Sequence, residues 1–358
     1  MGRSASQKNK KFMIKDKRIN VLIQKNDLKS KMWKKALSAY DINLVSMDGS
    51  PIMWIFFLLK NIVLKKPDAI IFRYLNDYKS LTKTLARFFS EFLTILFANS
   101  LGIKILWICH NIDKETDENF PRITKIRRKL LENYSDRVLV LDRLLIKEAN
   151  FFFKNSTVED ISFGKIEKEN MNEIHMNKIR SFINEDNTKI YGLTVGSINY
   201  KTVHFKEIPK LIDEAQKNAI DLRMVVCGPI GNYLMKNDYV LYEFFINNKD
   251  ILFIDDYVRI DESMLNGVSF AFKSNVDKSV PLSYYTNASA KLPILALENT
   301  FSGKMVNEYN IGFVLKNDYS NLKKVVTNIE NNNCNFDDFF KTHSWDYAAE
   351  KINNVIRC

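Results

Sequence analysis

Short apolar runs alternate with longer helix-like stretches along almost all of this 358-residue chain, and the alternation halts once and then restarts. A short apolar run closed off by polar residues is the pattern of a strand buried on both faces. Strands that alternate with helices form a parallel sheet with helices on both sides. In the first half such runs stand at 18–24, 42–47, 67–74, 105–109, 136–141 and 158–162, with helices expected over 28–40, 52–64, 80–99, 121–134 and 143–153. Residues 165–188 are polar and charged, and read as a helix or loop that joins two domains. Strands then recur at 191–196, 222–228, 250–254, 268–272, 293–297 and 312–315, with helices expected over 205–218, 284–291, 318–331 and 344–356. The chain therefore reads as α/β, with a basic tail at 1–17, domains at 18–164 and 189–335, a linker at 165–188, and a closing helical segment at 336–358 that packs back on the first domain. Its length is ample for two domains.

Open α/β sheets bind ligands beyond the carboxyl ends of their strands. The most pointed strand end is Ile105-Leu-Trp-Ile-Cys-His110-Asn111-Ile-Asp113-Lys114-Glu115, where an apolar run stops at His-Asn and a cluster of charges. An imidazole titrates near neutrality and suits proton transfer, so His110 is a candidate, as are the carboxylates Asp113 and Glu115. Arg73 and Tyr74 end the neighbouring strand and read either as ligand contacts or as surface residues. In the second half, Val195-Gly196-Ser197-Ile198-Asn199-Tyr200-Lys201 lies between a strand and a helix. Gly196 lets the backbone approach an anion, Ser197 donates a hydrogen bond, Lys201 offers a point charge to a diphosphate, and the following helix adds the positive end of its dipole. The turn is neither GxGxxG nor a P-loop, which counts against nicotinamide and Walker-type nucleotides. Eight of the eleven glycines lie from Gly164 onward, so ligand phosphates are expected on the second domain.

The net charge of +11 admits nucleic acid, an anionic membrane face or phosphorylated substrates as partners. Basic residues are dense before Arg18 and again at Arg122, Lys125, Arg127, Arg128 and Lys129. Cys109, Cys227, Cys334 and Cys358 are scattered without a CxxC pair, which argues against disulfides or zinc and fits a reducing compartment. Met1 to Lys17 lacks the apolar core of a secretory signal. The apolar stretch from Pro51 meets Lys60 well short of the roughly 20 residues that span a bilayer. A cytoplasmic chain, or one attached at the inner face of the cell membrane, is expected. Asp255-Asp256 lacks the spacing of an Asp-x-Asp metal motif, so no cofactor and no essential metal is expected.

These motifs in this order resemble bacterial GT-B glycosyltransferases of the family 4 type, which build capsule, O-antigen or exopolysaccharide. The resemblance runs from about Arg18 to about Glu330. Its parts are Trp107-Ile-Cys-His110-Asn111-Ile-Asp113-Lys114-Glu115, with Lys114 where His is usual; Gly196-Ser-Ile-Asn-Tyr200-Lys201, with Thr202 in place of a second Gly and Ser197 in place of an Arg; Pro281-Leu-Ser283-Tyr284-Tyr-Thr286-Asn287-Ala-Ser289-Ala-Lys-Leu-Pro293; and Val306-Asn-Glu308-Tyr-Asn-Ile-Gly312. The E-x7-E pair of many members is not recognisable, since Thr286 stands near its first position.

The resemblance implies two Rossmann-like domains facing a cleft, with the acceptor on the first domain and a nucleotide-diphospho-sugar on the second. Gly196, Ser197, Tyr200 and Lys201 would hold the donor diphosphate. Thr286, Asn287 and Ser289 would sit near its phosphates or ribose at the start of a short helix, or else serve as that helix's cap. His110, Asp113 or Glu115 would act as base if the reaction inverts the anomeric centre; if it retains, His110 would position the sugar. Arg73, Tyr74 and Asn111 would contact a saccharide or lipid-linked oligosaccharide acceptor. The apolar helices 52–64 and 81–97 and the basic helix 122–129 would face the membrane, or else be core and solvated surface. No nucleic acid is expected as partner. Two rival functions remain open: a sugar-nucleotide epimerase of similar fold, and a non-catalytic basic module for nucleic acid or anionic lipid.

Overall fold

The structure, a computed structural model, describes residues 18–113, 115, 118–166, 173–184, 188–199, 201–258, 265–276, 278–331 and 333–358. Its strands form two six-stranded sheets with every pairing parallel. The first contains β1 (Ile19–Ile23), β2 (Ile42–Ser46), β3 (Ala69–Phe72), β4 (Lys104–Cys109), β5 (Arg137–Val140) and β6 (Val158–Asp160) in the order β2-β1-β3-β4-β5-β6. Between its strands run α1 (Leu28–Leu37), α2 (Trp54–Leu64), α3 (Leu81–Ser100), α4 (Pro121–Tyr134) and α5 (Ile146–Phe152). After α6 (Glu173–Ile183) comes the second sheet, with β7 (Ile190–Val195), β8 (Leu222–Cys227), β9 (Ile251–Ile254), β10 (Phe270–Phe272), β11 (Ile294–Leu297) and β12 (Gly312–Leu315) in the order β12-β11-β10-β7-β8-β9. Its helices are α7 (His204–Lys217), α8 (Gly231–Asn237), α9 (Tyr239–Asn247), α10 (Ser283–Ser289), α11 (Phe301–Tyr309) and α12 (Leu322–Asn331), followed by α13 (Phe336–Thr342) and α14 (Trp345–Arg357).

The central strands are apolar on both faces because both faces are covered. All of β3 and all of β4 after Lys104 are buried. Each such Ile or Trp contributes about 2 kcal/mol by leaving water. In each sheet the strand order reverses once, between β1 and β3 in the first and between β7 and β10 in the second. The crevice of an open α/β sheet opens at such a point, beyond the carboxyl ends of the strands. The chain leaving those ends is Gln24 to Asp27 and Arg73 to Tyr74 in the first lobe, and Gly196 and Lys273 in the second.

The last helix belongs to the first lobe. Trp345 of α14 meets Trp33 of α1 edge-on at 5.8 Å. Lys104 donates to the carbonyls of Val355 (3.2 Å) and Ile356 (3.0 Å), which the helix itself leaves without donors. Within 165–188, α6 buries Ile179, Phe182 and Ile183 in one cluster with Tyr191 and Val225 of the second sheet.

Some expectations change. Helices α8, α9, α11 and α13 fall where the alternation assigned no separate element. The α9 sequence YVLYEFFIN is apolar nearly all round and has no clear period, and α8 opens on glycine. The helix expected at 284–291 starts at Ser283 and ends at Ser289, so Thr286, Asn287 and Ser289 occupy its middle and end, not its start. They do not cap it either: the N-cap is Leu282, with no side-chain hydrogen bond. In the basic helix, Arg127 and Arg128 turn inward as ion-pair partners, while Arg122, Lys125 and Lys129 stay exposed.

Where the lobes meet, a buried carboxylate collects partners from both. Asp142, just beyond β5, accepts from Tyr309 Oη (2.8 Å), pairs with His343 Nε2 (2.9 Å) and accepts from the Leu144 amide (2.7 Å). Removing one member strands buried polar atoms. Asp142→Ala is expected to cost about 3 kcal/mol in urea denaturation, and Tyr309→Phe about 1 kcal/mol. Equal losses for the two would show that Asp142 is not the hub.

Candidate functional site

The first wall of the cleft is built on Arg73. Its guanidinium donates to Asp27 Oδ1 (2.8 Å), Ser30 Oγ (2.8 Å) and Tyr74 Oη (2.7 Å), and lies over the Trp33 ring. Asp27 is also the N-cap of α1. Burial would raise its carboxyl, but the charge and hydrogen bond of Arg73 and the Ser30 donors bring it down to about 2. Arg73 is 1% exposed. It therefore holds Tyr74 in place, and its neighbours, not a ligand, occupy its end nitrogens.

Tyr74 in turn supports His110. The two rings stack at 4.4 Å and 10°, and Phe163, which follows β6, stacks on His110 at 6.0 Å. His110 is 8% exposed, and its Nε2 is buried with no hydrogen-bond partner. Burial first, then the charges of Lys29, Arg73, Lys201 and Lys25, drive the imidazole well below its ordinary range. It is neutral at pH 7, able to accept or donate one hydrogen bond at Nε2 according to tautomer.

The segment after His110 is anchored from α4. Arg128 pairs with Glu115 (2.7 Å), donates to the Asn111 carbonyl (3.1 Å), and donates to the Ile112 carbonyl. Glu115 also accepts from Asn111 Nδ2 at 3.3 Å. Burial raises the Glu115 carboxyl above its usual range, and the Arg128 charge offsets this only in part. Glu115 is thus the anchor of the His-Asn turn. Asp113 is half-buried beside it. Lys114 lies outside the described residues, as does Tyr200.

The second wall begins at Gly196, whose φ of +144° is rarely open to L side chains. A Cβ there would stand 3.1 Å from Lys273 Nζ. The turn is possible because Gly228 carries no Cβ, which would sit 1.8 Å from the Gly196 carbonyl oxygen. Beyond it the loop closes on itself. Asn199 Oδ1 accepts from the Lys201 amide (2.9 Å), and the Asn199 amide donates to Thr202 Oγ1 (3.0 Å). Lys201 is 5% exposed and its Nζ donates across the cleft to Asn111 Oδ1. Ser197 is exposed at the turn.

Lys273, at the carboxyl end of β10, was not singled out from the sequence. Its Nζ donates to the Val195 carbonyl at 2.9 Å, and burial lowers it to about 8. With Ser283 and Asn287 it lines a small cavity beneath the Gly196 turn. Asn287 Oδ1, Ser283 Oγ and Ser289 Oγ are buried atoms without partners. The rule that pointed to Arg73, a polar residue ending a strand, applies equally to Lys273 after the run at 268–272. The structure thus gathers His110, Asn111, Gly196 and Lys201 at one cleft, with Arg73 and Tyr74 behind the first wall and Asn287 behind the second. Among the described residues no group of three or more His, Cys, Asp or Glu side chains is placed to hold a metal ion.

Sequence comparison matches the chain to no family model and to no curated protein. Solved structures do resemble it. Sucrose-phosphate synthase from Thermosynechococcus elongatus aligns with 95% of this chain and 98% of its own at TM-score 0.63 and 12% identity. WaaG, a glycosyltransferase involved in lipopolysaccharide biosynthesis, aligns with 94% and 99% at 0.58 and 12% identity. UDP-GlcNAc 2-epimerase from Methanocaldococcus jannaschii aligns with 95% and 99% at 0.55 and 15% identity. At such identities the likeness is one of fold: the chain has the two-domain GT-B architecture.

The depressed basicity of His110 has a pH consequence. An unfolded histidine takes up a proton near pH 6.5, and buried His110 does not, so it withdraws stability as pH falls below about 6.5 and contributes nothing above. Its imidazole NMR shifts are expected to stay flat from about pH 5.5 to 8. A midpoint near 6.5 would show that the stacked, buried geometry is wrong.

Proposed function

We propose that this protein is a glycosyltransferase of the hexosyltransferase type, which moves a sugar from a nucleotide-diphospho-sugar to a lipid-linked saccharide in surface polysaccharide synthesis. The observation that carries the reading is the meeting of Lys201 with Asn111 beside the unpartnered Nε2 of His110. It places a cation of one lobe against a neutral hydrogen-bonding group of the other. The fold shared with sucrose-phosphate synthase and with WaaG supports a sugar-transferring enzyme.

In the transfer, the bond from the anomeric carbon to the diphosphate breaks and the acceptor hydroxyl loses its proton as the new glycosidic bond forms. The leaving diphosphate gains charge, and a preorganised cation stabilises that change. Lys201 takes this role, since a phosphate oxygen is a stronger partner for an ammonium than the Asn111 amide oxygen. Lys273, the Gly196 and Ser197 backbone, Asn287 and Ser289 complete the donor site, with Thr286 at its edge. His110 faces the transferred sugar and, in an inverting reaction, takes the acceptor proton, with Asp113 as the other base. Glu115, Arg73 and Tyr74 position. No metal is required for charge neutralisation.

Purified protein screened against UDP, GDP, CMP and TDP is expected to show one clear rise in melting temperature, because binding to the folded state stabilises it by mass action. EDTA leaves that rise unchanged, and Lys201→Ala weakens affinity about tenfold or more. No rise with any nucleotide overturns the reading. Epimerised sugar formed from donor alone moves it to the sugar-nucleotide epimerase, and steeply salt-dependent binding to nucleic acid without turnover moves it to a basic binding module.

Among the described residues no helix is long and apolar enough to cross a membrane. Yet α2 and α3 present a shared apolar surface, with Phe56 61%, Val63 86% and Phe89 56% exposed, and Leu85 and Leu93 between turns. Exposed Lys60, Lys83, Arg122 and Lys125 lie on the same helices and on neighbouring α4. Apolar side chains flanked by cations suit the surface of an anionic bilayer. We therefore place this face on the inner leaflet. The protein is expected to cosediment with phosphatidylglycerol vesicles and not with phosphatidylcholine vesicles. Phe56→Ser with Phe89→Ser should reduce that binding about tenfold without altering nucleotide affinity. A dimer in solution that the same pair dissociates would assign the face to self-association instead.

A further inference from the structure

We infer that the first wall of the cleft binds a second anionic group, a carboxylate or phosphate carried either by the transferred sugar or by the saccharide that receives it. The inference rests on the nucleotide-sugar reading and deepens it. Lys25 and Lys29 flank the loop that leaves β1, Lys25 with a left-handed φ of +80°. The Lys25 ammonium lies 5.2 Å from the Tyr74 ring centre; that of Lys29 lies 5.9 Å from Tyr74 and 4.5 Å from Phe163. These are the two rings that sandwich His110. Among the described residues neither ammonium has a hydrogen-bond or ion-pair acceptor. The carboxylate between them, Asp27, is already held by Arg73, Tyr74 and Ser30.

Two buried nitrogens complete the group, His110 Nε2 and Arg73 Nε, both without partners. His110 is more than nine-tenths buried and Arg73 almost wholly so. The position of Lys29 adds to the case. It stands in the first turn of α1, where the helix dipole disfavours a cation. Burial and the neighbouring Arg73 charge lower it to about 8. The Asp27 charge and the Phe163 ring offset only part of that cost, and an anion seated over His110 would offset more. The wall thus offers ammonium donors from Lys25 and Lys29 beside the unpartnered His110 Nε2, and Asp27, the carboxylate between the two lysines, is already engaged. The diphosphate does not account for it, because Gly196, Lys201 and Lys273 belong to the opposite lobe, at the carboxyl ends of β7 and β10 and the loop beyond.

The test titrates the full chain calorimetrically. UDP-glucuronate against UDP-glucose reads an anion on the transferred sugar; glucuronate and glucose 6-phosphate against glucose, each with UDP present, read one on the acceptor. In one arm the acidic probe is expected to bind about tenfold more tightly than its neutral counterpart. Lys25→Gln with Lys29→Gln should abolish that preference and leave UDP affinity unchanged, while Lys29→Arg keeps it. Equal binding of acidic and neutral probes in both arms overturns the inference, as does a preference that survives the double substitution. Loss of UDP itself in the double variant also overturns it, by assigning these lysines to the diphosphate. Absence of UDP binding to the unaltered protein leaves the two acidic sugars, titrated alone against glucose, to decide this point, and counts against the nucleotide reading for UDP separately.

Discussion

A buried carboxylate on α3 sets the geometry of the first lobe. Glu91, 3% exposed, accepts from Arg87 (2.8 Å), from Arg127 (2.7 and 3.1 Å) and from Gln24 Nε2 (3.1 Å). Burial alone would raise its carboxyl; Arg127 and Arg87 reverse that and lower it. An ion pair in the interior is costly unless every lone pair and proton is used, and here they are nearly all used. Arg87 carries the link to the carbonyls of Tyr74 and Asn76, and Arg127 to the Leu75 carbonyl (2.8 Å) and Asp77 (3.1 Å). Gln24 Oε1 receives the amides of Arg73 (3.0 Å) and Tyr74 (3.2 Å). One carboxylate therefore fixes the loops leaving both β1 and β3. Those loops carry the cations and the aromatic ring that face His110.

The two lobes meet the cleft with different chemistry. The second lobe uses backbone conformation: two glycines allow the Gly196 turn, and Asn199 and Thr202 fold the loop so that Lys201 reaches out. Thr202 stands where the glycosyltransferase resemblance leads one to expect glycine, and its hydroxyl supplies a loop-closing hydrogen bond that glycine lacks. The first lobe uses side chains stacked three deep, Tyr74, His110 and Phe163, on an Arg73 base. A stack of that kind is rigid and excludes water from the imidazole. Its neutrality follows from the same packing.

The alternation of apolar runs revealed both sheets, because strands covered on two faces must be apolar throughout and cannot be mistaken for amphipathic surface. The strand ends were legible for the same reason. What lay beyond pattern was which polar residues at those ends would point into the cleft. Arg128 and Arg127 looked like one basic surface with Lys125, yet helical spacing turns them toward Glu115, Asp77 and Glu91, residues far apart in sequence. Glu115 reads from the sequence as a candidate base, and the structure pairs it with Arg128, a contact that no local pattern announces. Asn287 and Ser289 were legible as residues but not in place, since the helix they belong to starts only at Ser283. Lys273 carried no motif; only sheet order puts it beside Gly196.

The distribution of charge has a single logic. Four carboxylates near the cleft are spent on interior cations: Asp27 on Arg73, Asp77 and Glu91 on Arg127, Glu115 on Arg128. In each pair the base is an arginine, whose planar fork satisfies several acceptors at once and suits burial. The lysines of the cleft are treated differently. Lys25 and Lys29 rest on aromatic faces, and Lys273 on a carbonyl oxygen. A cation held by a ring or a neutral oxygen keeps most of its field for an incoming anion, whereas one paired with a carboxylate does not. The net charge of +11 is therefore more than a general surface excess. Part of it is concentrated at the one place where the two sheets face each other, on side chains that the fold has kept from being neutralised.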